Sequence, residues 1–226
     1  MELVVVSSSQ KSNTEIPIIK SLFEEGLTYY HIKKRDWDRK KMNDFIKKIP
    51  KEYHAQLVLH QHYSLAFRYN IGGVHLGRRQ KKSWSKKLGI AFLRLLRPKL
   101  RCSVSYQSLQ DLITNKAHFD YVILKPIFDR HNITEFNQTY NPKQLADHML
   151  ISKQKVFALG GVNCERLSLA HQVGFEGAVL QGSFWNRREN KMDFFRELVQ
   201  VAQNPGAKKK PMEMRAVKID MPGRAS

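Results

Sequence analysis

The stretch from Lys155 to Ser183 decides the fold class, and it reads KVFALGGVNCERLSLAHQVGFEGAVLQGS. Residues 155–159 and 176–180 are short, mostly apolar runs, and a helical pattern that begins at Asn163 separates them. A continuous apolar run predicts a strand that is covered on both faces. The alternation of such runs with helical patterns indicates βαβ units and a parallel sheet.

The same alternation continues back to the N-terminus. It predicts eight strands, over residues 3–6, 27–32, 54–59, 73–76, 100–105, 119–124, 155–159 and 176–180. Regular βα units without a break in composition favour a single (β/α)8 TIM barrel, and an open doubly wound sheet is the alternative. We assign residues 1–203 to this α/β barrel and residues 204–226 to a basic, disordered tail outside the fold. The basic stretch before the fifth strand resists assignment.

The charge of the chain indicates anionic partners. The formal net charge of the 226 residues is +19, and ten Lys or Arg lie between Arg78 and Arg101 without one acidic residue. Such an excess favours phosphorylated small-molecule substrates, nucleic acid or a membrane surface, and a solvated basic surface is the plainer alternative. No apolar run reaches about 20 residues and no nucleic-acid-binding module is recognisable, so we expect neither a membrane nor nucleic acid as a partner. We expect a cytoplasmic protein and leave a homodimer open.

In a barrel, functional residues lie at the carboxyl ends of the strands and in the loops that follow them. Here these positions are rich in cations and small residues and poor in acids, which suits an anion. They carry, among others, His31, Lys33, Arg35, His60, Ser105, Lys125, Gly160, Gly161, Gln181 and Gly182. The last four follow the seventh and eighth strands, where barrels often bind phosphate, so we predict a phosphate site there.

Four histidines, at positions 31, 60, 62 and 75, raise the question of a metal. Residues two apart in an extended segment point to the same side, so His60 and His62 could act together, and imidazole suits zinc. No cysteine and no inward-facing acid accompany them. We therefore expect histidines that pack or form hydrogen bonds, and we predict no metal site.

A series of short motifs recurs in one order along residues 2–202. It comprises YHIKKR (30–35), GVHLG (73–77), SVS (103–105), DYV (120–122) with PIF (126–128), ALGGV (158–162) and GFEGA (174–178). This series resembles the superfamily of thiamine phosphate synthases and thiazole tautomerases, in a divergent form. The resemblance implies a transferase of thiamine biosynthesis that couples an aminopyrimidine diphosphate to a thiazole phosphate and releases diphosphate.

The resemblance also implies roles for individual residues. The expected catalytic residues are Lys33, Arg35 and Ser105, which would hold the diphosphate. His31 and His60 would contact the pyrimidine. The thiazole phosphate would be held by Gly160, Gly161, Gln181 and Gly182. Lys125, a cation directly after the sixth predicted strand, is a further expected substrate-binding residue.

The chain departs from the family at the metal site. The family's magnesium-binding carboxylates are replaced by Gln61 and Gln80, and magnesium prefers carboxylate ligands. We expect no cofactor, with magnesium kept as the alternative, because the rim cations could neutralise diphosphate directly. The other alternative is a thiazole tautomerase-like protein or a non-catalytic barrel that binds a phosphorylated metabolite. Pro126 occupies the position of the tautomerase's loop histidine.

Overall fold

Eight parallel strands close on themselves in chain order in the computed structural model of the chain. The structure describes residues 1–9, 15–77, 84–114, 117–128, 136 and 140–204. The strands are β1 Glu2–Val6, β2 Tyr29–Ile32, β3 Leu57–Leu59, β4 Gly73–Leu76, β5 Arg101–Tyr106, β6 Tyr121–Leu124, β7 Lys155–Leu159 and β8 Gly177–Leu180. The helices are α1 Glu15–Glu24, α2 Arg39–Lys47, a 3-10 helix Lys51–Gln56, α3 Leu65–Tyr69, α4 Trp84–Leu96, α5 Gln110–Thr114, α6 Pro142–Ile151, α7 Cys164–Gln172, α8 Gly182–Trp185 and α9 Lys191–Gln203.

The predicted TIM barrel is confirmed by the pairing of the last strand with the first. β8 pairs with β1 in parallel, with Ala178 opposite Leu3 and Val179 opposite Val4. An open doubly wound sheet would leave both of these strands without this partner, so that alternative is excluded. No helix among the described residues is long and apolar enough to cross a membrane.

The third strand is shorter than predicted. Residues 51–56 form a 3-10 helix, and β3 begins only at Leu57. The His54 ring explains the difference, because its two nitrogens lie 2.9 Å from the Tyr69 carbonyl oxygen and 3.0 Å from that of Ile49. The buried imidazole thus lies between two backbone carbonyl oxygens where the chain turns, each tautomer can donate to one of them, and the helical turn places the ring there.

The basic stretch that resisted assignment, residues 78–101, contains the helix α4 in its middle. α4 leaves Leu88, Phe92 and Leu95 exposed and buries Leu93. Arg97, directly after α4, donates to the Ala66 carbonyl oxygen at 2.6 Å and so ties this segment to α3. Residues 78–83, and residues 205–226 of the predicted tail, lie outside the described residues.

Inside the barrel, one part of the filling is apolar and aromatic. The buried cluster consists of Val4, Val6, Tyr121, Ile123, Phe157 and Val179. Tyr121 stacks on Phe157 with ring centroids 4.7 Å apart. Because side chains alternate along a strand, the neighbouring inward positions of β2, β4 and β5 are taken by His31, His75 and Ser103, all of which are buried. The barrel interior is therefore polar where β2, β4 and β5 face inward, and apolar where the six residues of the buried cluster lie.

A buried ion pair outside the barrel wall fixes the end of β2. The Lys34 ammonium donates to Glu15 Oε2 at 2.6 Å and to the Ser8 carbonyl oxygen at 2.7 Å. The Tyr30 hydroxyl donates to Glu15 Oε1 at 2.5 Å. Lys34 lies between two predicted site residues, so this network fixes the backbone from which Lys33 and Arg35 extend. Ser7 adds to the constraint, because its hydroxyl accepts from the Lys33 amide at 2.9 Å.

We predict that Glu15→Gln destabilises the protein by roughly 3–5 kcal/mol, because it leaves the Lys34 ammonium buried without a charged partner. The free energy of unfolding in urea measures the loss. The matched control is Glu24→Gln, which removes only an exposed pair with Lys20 at 3.7 Å and should cost less than about 1 kcal/mol. Equal losses in the two variants would contradict the role given to the Glu15–Lys34 pair.

Candidate functional site

Three histidines from neighbouring strands meet near the carboxyl end of the barrel. His31 lies on β2, His60 directly follows β3, and His75 lies on β4. One ring nitrogen from each lies within 4.8 Å of the others. The rings of His60 and His75 stack with centroids 4.3 Å apart, and the His31 ring lies 5.1 Å from that of His60. We call these three residues the histidine cluster.

Hydrogen bonds fix the orientation of the three rings. His31 Nδ1 lies 3.0 Å from His60 Nε2, and His31 Nε2 lies 2.5 Å from the Tyr121 hydroxyl. His75 Nδ1 lies 2.9 Å from the Ser103 hydroxyl, and its Nε2 lies 3.0 Å from the Ser105 hydroxyl. These contacts are hydrogen bonds of the kind that the sequence analysis expects for these histidines.

The cluster is held in the uncharged form. Burial lowers the pKa of His31 to about 3, and the Lys33 ammonium adds to this effect. Burial is also the main reason that the pKa values of His60 and His75 lie well below the ordinary value, and neighbouring histidine and lysine charges contribute. Near neutral pH the three imidazoles therefore keep lone pairs that can accept a hydrogen bond or bind an electrophile.

Above the histidine cluster lies a cavity of about 550 Å³ with a cationic wall. It is lined by Lys33, Arg35, His60, His75, Gly77, Ser105, Gln107, Ser108, Asp111 and Lys125. The cations act on each other. Burial, followed by Lys125 and Arg35, lowers the pKa of Lys33, and burial followed by Arg35 lowers that of Lys125. Such a set of crowded, partly desolvated cations attracts a polyanion.

A second cavity, of about 390 Å³, shares part of this wall. Lys33 and Arg35 line both cavities, and Ser8, Ser9, Trp37 and Gln181 are among the residues that line only the second. Two cavities with common cations can accept two anionic groups next to each other. We call Lys33, Arg35 and Lys125 the rim cations, and Lys33 and Arg35 are central among them because they line both cavities.

The predicted phosphate loop has structural reasons for its glycines. Gly160 and Gly161 have φ values of +122° and +63°, which glycine adopts more readily than other residues. A side chain on Gly160 would come within 3.3 Å of Pro126, and one on Gly161 would meet the Arg166 guanidinium. The Arg166 guanidinium donates to the Gly161 carbonyl oxygen at 2.7 Å. These two glycines do not line either cavity described above, and their phosphate contact stays a prediction.

Gln61, which replaces one of the family's magnesium-binding carboxylates, does not fit a magnesium site. The Gln61 amide donates to the carbonyl oxygens of Lys34 and Trp37, at 3.3 Å in the latter case. It therefore holds the loop after β2, and an amide is in any case a weaker magnesium ligand than a carboxylate. Gln80 lies outside the described residues. We derive no step through magnesium.

The structure brings most of the predicted site residues together. Lys33, Arg35, His60, Ser105 and Lys125 line the larger cavity, and Gln181 lines the smaller one. His31 is completely buried behind His60, so contact between His31 and a substrate stays a prediction. Gly182 begins the short helix α8. His62 is not part of the histidine cluster, and its Nε2 lies 2.8 Å from the Trp37 carbonyl oxygen.

Sequence reasoning did not assign site roles to His75, Ser103 and Tyr121. All three are bonded within the histidine cluster and its surroundings. A signal was available, because Ser103 and Ser105 occupy alternate positions of one strand and so point to the same side. The register that places His75 opposite Ser103, and Ser103 opposite Tyr121, is known only from the closed barrel.

Comparisons with known proteins agree with this architecture. The family model described as thiamine monophosphate synthase matches residues 3–182. A thiamine phosphate pyrophosphorylase from Bacteroides thetaiotaomicron is similar at 26% identity and a TM-score of 0.73, over 92% of this chain and 100% of that one. One from Pyrococcus furiosus has 18% identity and a TM-score of 0.71, over 91% and 97% of the two chains. A 3-hexulose-6-phosphate synthase from Salmonella typhimurium, at 11% identity and a TM-score of 0.65 over 91% and 100%, shares the fold. Among curated protein sequences, none matches the chain significantly.

We predict that Lys125→Met raises the pKa of Lys33, because it removes the cation that has the larger effect of the two that lower it. The value should stay below the ordinary one, since burial is the larger cause and remains. NMR titration of methylated or isotope-labelled lysine side chains measures this pKa. Lys155→Met is the control, because Lys155 pairs with Glu2 at the opposite end of the barrel and should leave Lys33 unaffected. An unchanged Lys33 pKa in Lys125→Met would show that the two ammonium groups do not interact.

Proposed function

Because the chain belongs to the thiamine monophosphate synthase family, we propose that it couples an aminopyrimidine diphosphate to a thiazole phosphate and releases diphosphate. One observation carries the proposal: Lys33, Arg35 and Lys125 surround a cavity whose floor is made of uncharged histidines. In the described part of the chain, none of these three cations forms an ion pair with a carboxylate. They are available to an anionic ligand.

The reaction has a simple balance of atoms and electrons. The bond between the pyrimidine methylene carbon and the diphosphate oxygen breaks, and its electron pair leaves with the diphosphate. The thiazole nitrogen then gives its lone pair to the methylene carbon, which forms the new carbon–nitrogen bond. No oxidant and no proton acceptor are needed for these two steps. The protein has to stabilise the leaving diphosphate and hold the two partners in line.

In this proposal, the rim cations stabilise the leaving diphosphate. Lys33, Arg35 and Lys125 would bind the diphosphate oxygens, and charge-assisted hydrogen bonds of this kind are about twice as strong as neutral ones. The Ser105 hydroxyl, which is bonded to His75 Nε2, would donate to a further oxygen. The partial burial of the two lysines supports this role, because electrostatic interactions strengthen when water is excluded.

In this proposal, the two cavities hold the two substrates in line. The pyrimidine would lie on the floor of the larger cavity against His60, and the neutral ring would meet uncharged imidazoles. The thiazole phosphate would occupy the smaller cavity, where Gln181 faces the shared cations. Gly160, Gly161 and Gly182 complete this phosphate site in the proposal. Lys33 and Arg35 would then lie between the two substrates and act on both anions.

A non-catalytic barrel that binds a phosphorylated metabolite is the second candidate. It is favoured by Gln61, whose amide is used for loop contacts at a position where the family has a magnesium ligand. Binding and coupling both need the rim cations, so only a product measurement separates the two candidates. A tautomerase-like activity is less well supported, because Pro126 stands at the position of that reaction's loop histidine.

We predict that the purified protein forms thiamine phosphate from the two substrates and that chelation of magnesium lowers the rate only slightly, because the rim cations neutralise the diphosphate. Product is measured by mass spectrometry with and without magnesium. Lys33→Met should lower kcat by about 100-fold, the usual effect of losing one group that stabilises a developing negative charge.

The control for Lys33→Met is Lys155→Met, which removes a lysine at the far end of the barrel and should leave the rate unchanged. If no product forms at any magnesium concentration while thiazole phosphate binds saturably, the protein is a binder and the coupling proposal is wrong.

A further inference from the structure

We propose that His31, His60 and His75 form a binding site for one divalent transition-metal ion of the zinc class. This inference does not depend on the coupling reaction and concerns a ligand that the proposed function does not use. It differs from the sequence-based expectation of histidines that only pack and form hydrogen bonds. The two interpretations use the same side chains, so the metal itself has to be tested.

The spacing of the nitrogens fits a single ion. Three ring nitrogens, one from each histidine, lie within 4.8 Å of one another, and His31 Nδ1 lies 3.0 Å from His60 Nε2. Nitrogens bound to one tetrahedral zinc ion, at about 2.0–2.1 Å from the metal, are about 3.3 Å apart. Small movements of the side chains therefore suffice to bring the three nitrogens around one ion.

The outer contacts of the cluster are those of a metal site. A histidine that binds a metal with one nitrogen usually donates its other N–H to an oxygen, which fixes the ring. The Tyr121 hydroxyl, 2.5 Å from His31 Nε2, can accept in this way and leaves His31 Nδ1 to the ion. The buried Ser103 hydroxyl, 2.9 Å from His75 Nδ1, does the same for His75 and leaves its Nε2. Two of the three ligands thus have a fixed orientation.

The open side of the cluster faces the larger cavity. His60 and His75 line that cavity, and Ser105, whose hydroxyl lies 3.0 Å from His75 Nε2, is at its edge. Ser105 is only partly buried and can turn away, so an ion can take its place on Nε2. Three histidines with one open position are one of the ligand sets found in catalytic zinc sites, in which water or substrate fills the fourth position.

The choice of ion follows from the ligands. Imidazole suits zinc, copper, nickel and iron, whereas magnesium and calcium need several oxygen ligands. The cluster consists of nitrogen ligands alone, and no carboxylate belongs to it among the described residues. A zinc-class ion, rather than magnesium, is therefore the ligand that this cluster recognises.

The test uses the full-length protein without a histidine tag, stripped of metal by a chelator and then titrated with Zn²⁺ and Co²⁺. We expect one ion per chain by calorimetry, intense visible bands of four-coordinate cobalt, and X-ray absorption of the zinc form that shows imidazole nitrogens at about 2.0 Å. Failure of the folded protein to bind one ion, or an absorption spectrum with only oxygen ligands, would overturn the proposal.

Variants separate this site from the other histidines of the chain. His60→Gln and His75→Gln should each weaken zinc binding by more than about 100-fold, and Ser103→Ala, which removes an outer contact, by about 10–100-fold. His118→Gln is the control, since His118 is exposed and lies outside the cluster. Unchanged affinity in His60→Gln and His75→Gln would refute the site.

The test gives a result even when a variant does not fold, and its result is independent of the coupling reaction. If a cluster variant does not fold, X-ray absorption of the unaltered protein still identifies the ligands. None of these measurements contains either substrate of the coupling reaction, so loss of metal binding and absence of thiamine phosphate formation are separate results.

Discussion

The parallel pairing of β8 with β1 is the constraint on which the rest of the structure depends. Closure of the sheet leaves one inner face, and the two-residue period of each strand then decides which side chains fill it. Phe157 and Val179 belong to the apolar part of this filling, and His31 and Ser103 to the polar part. The polar part lies directly beneath the cationic rim because the register of neighbouring strands leaves no other place for it.

Polar groups inside a barrel are costly unless each finds a partner, and this requirement connects the interior to the site. The chain Tyr121–His31–His60 and the contacts of His75 with two serines satisfy the ring nitrogens described above. Burial keeps the imidazoles uncharged, and the nearby Lys33 ammonium adds to this effect on all three. In the metal-free protein the uncharged histidines add no repulsion to Lys33 and Lys125, whose pKa values are already lowered by burial and by neighbouring cations.

The fold was largely predictable from the sequence, whereas the site was predictable only in part. Short apolar runs that alternate with helical patterns indicate covered parallel strands, and their regularity favours closure, which the pairing of β8 with β1 confirms. The rim cations Lys33 and Lys125 were found because they follow strands. His31, His60 and His75 are recognisable as candidate ligands in the sequence, but the meeting of His75 with His31 depends on strand register, which sequence spacing does not contain. The 3-10 helix at His54 was missed for a similar reason, since its cause is a pair of distant carbonyl oxygens.

In the coupling reaction proposed above, cations of the chain would take over the work that carboxylate-bound magnesium performs in the family. Calorimetric titration of the metal-free protein with inorganic diphosphate, in the presence of a chelator, tests this claim most directly. We expect saturable binding of one diphosphate per chain, weakened by added salt, because the site is built from charged side chains. Binding that appears only after magnesium is added would contradict it.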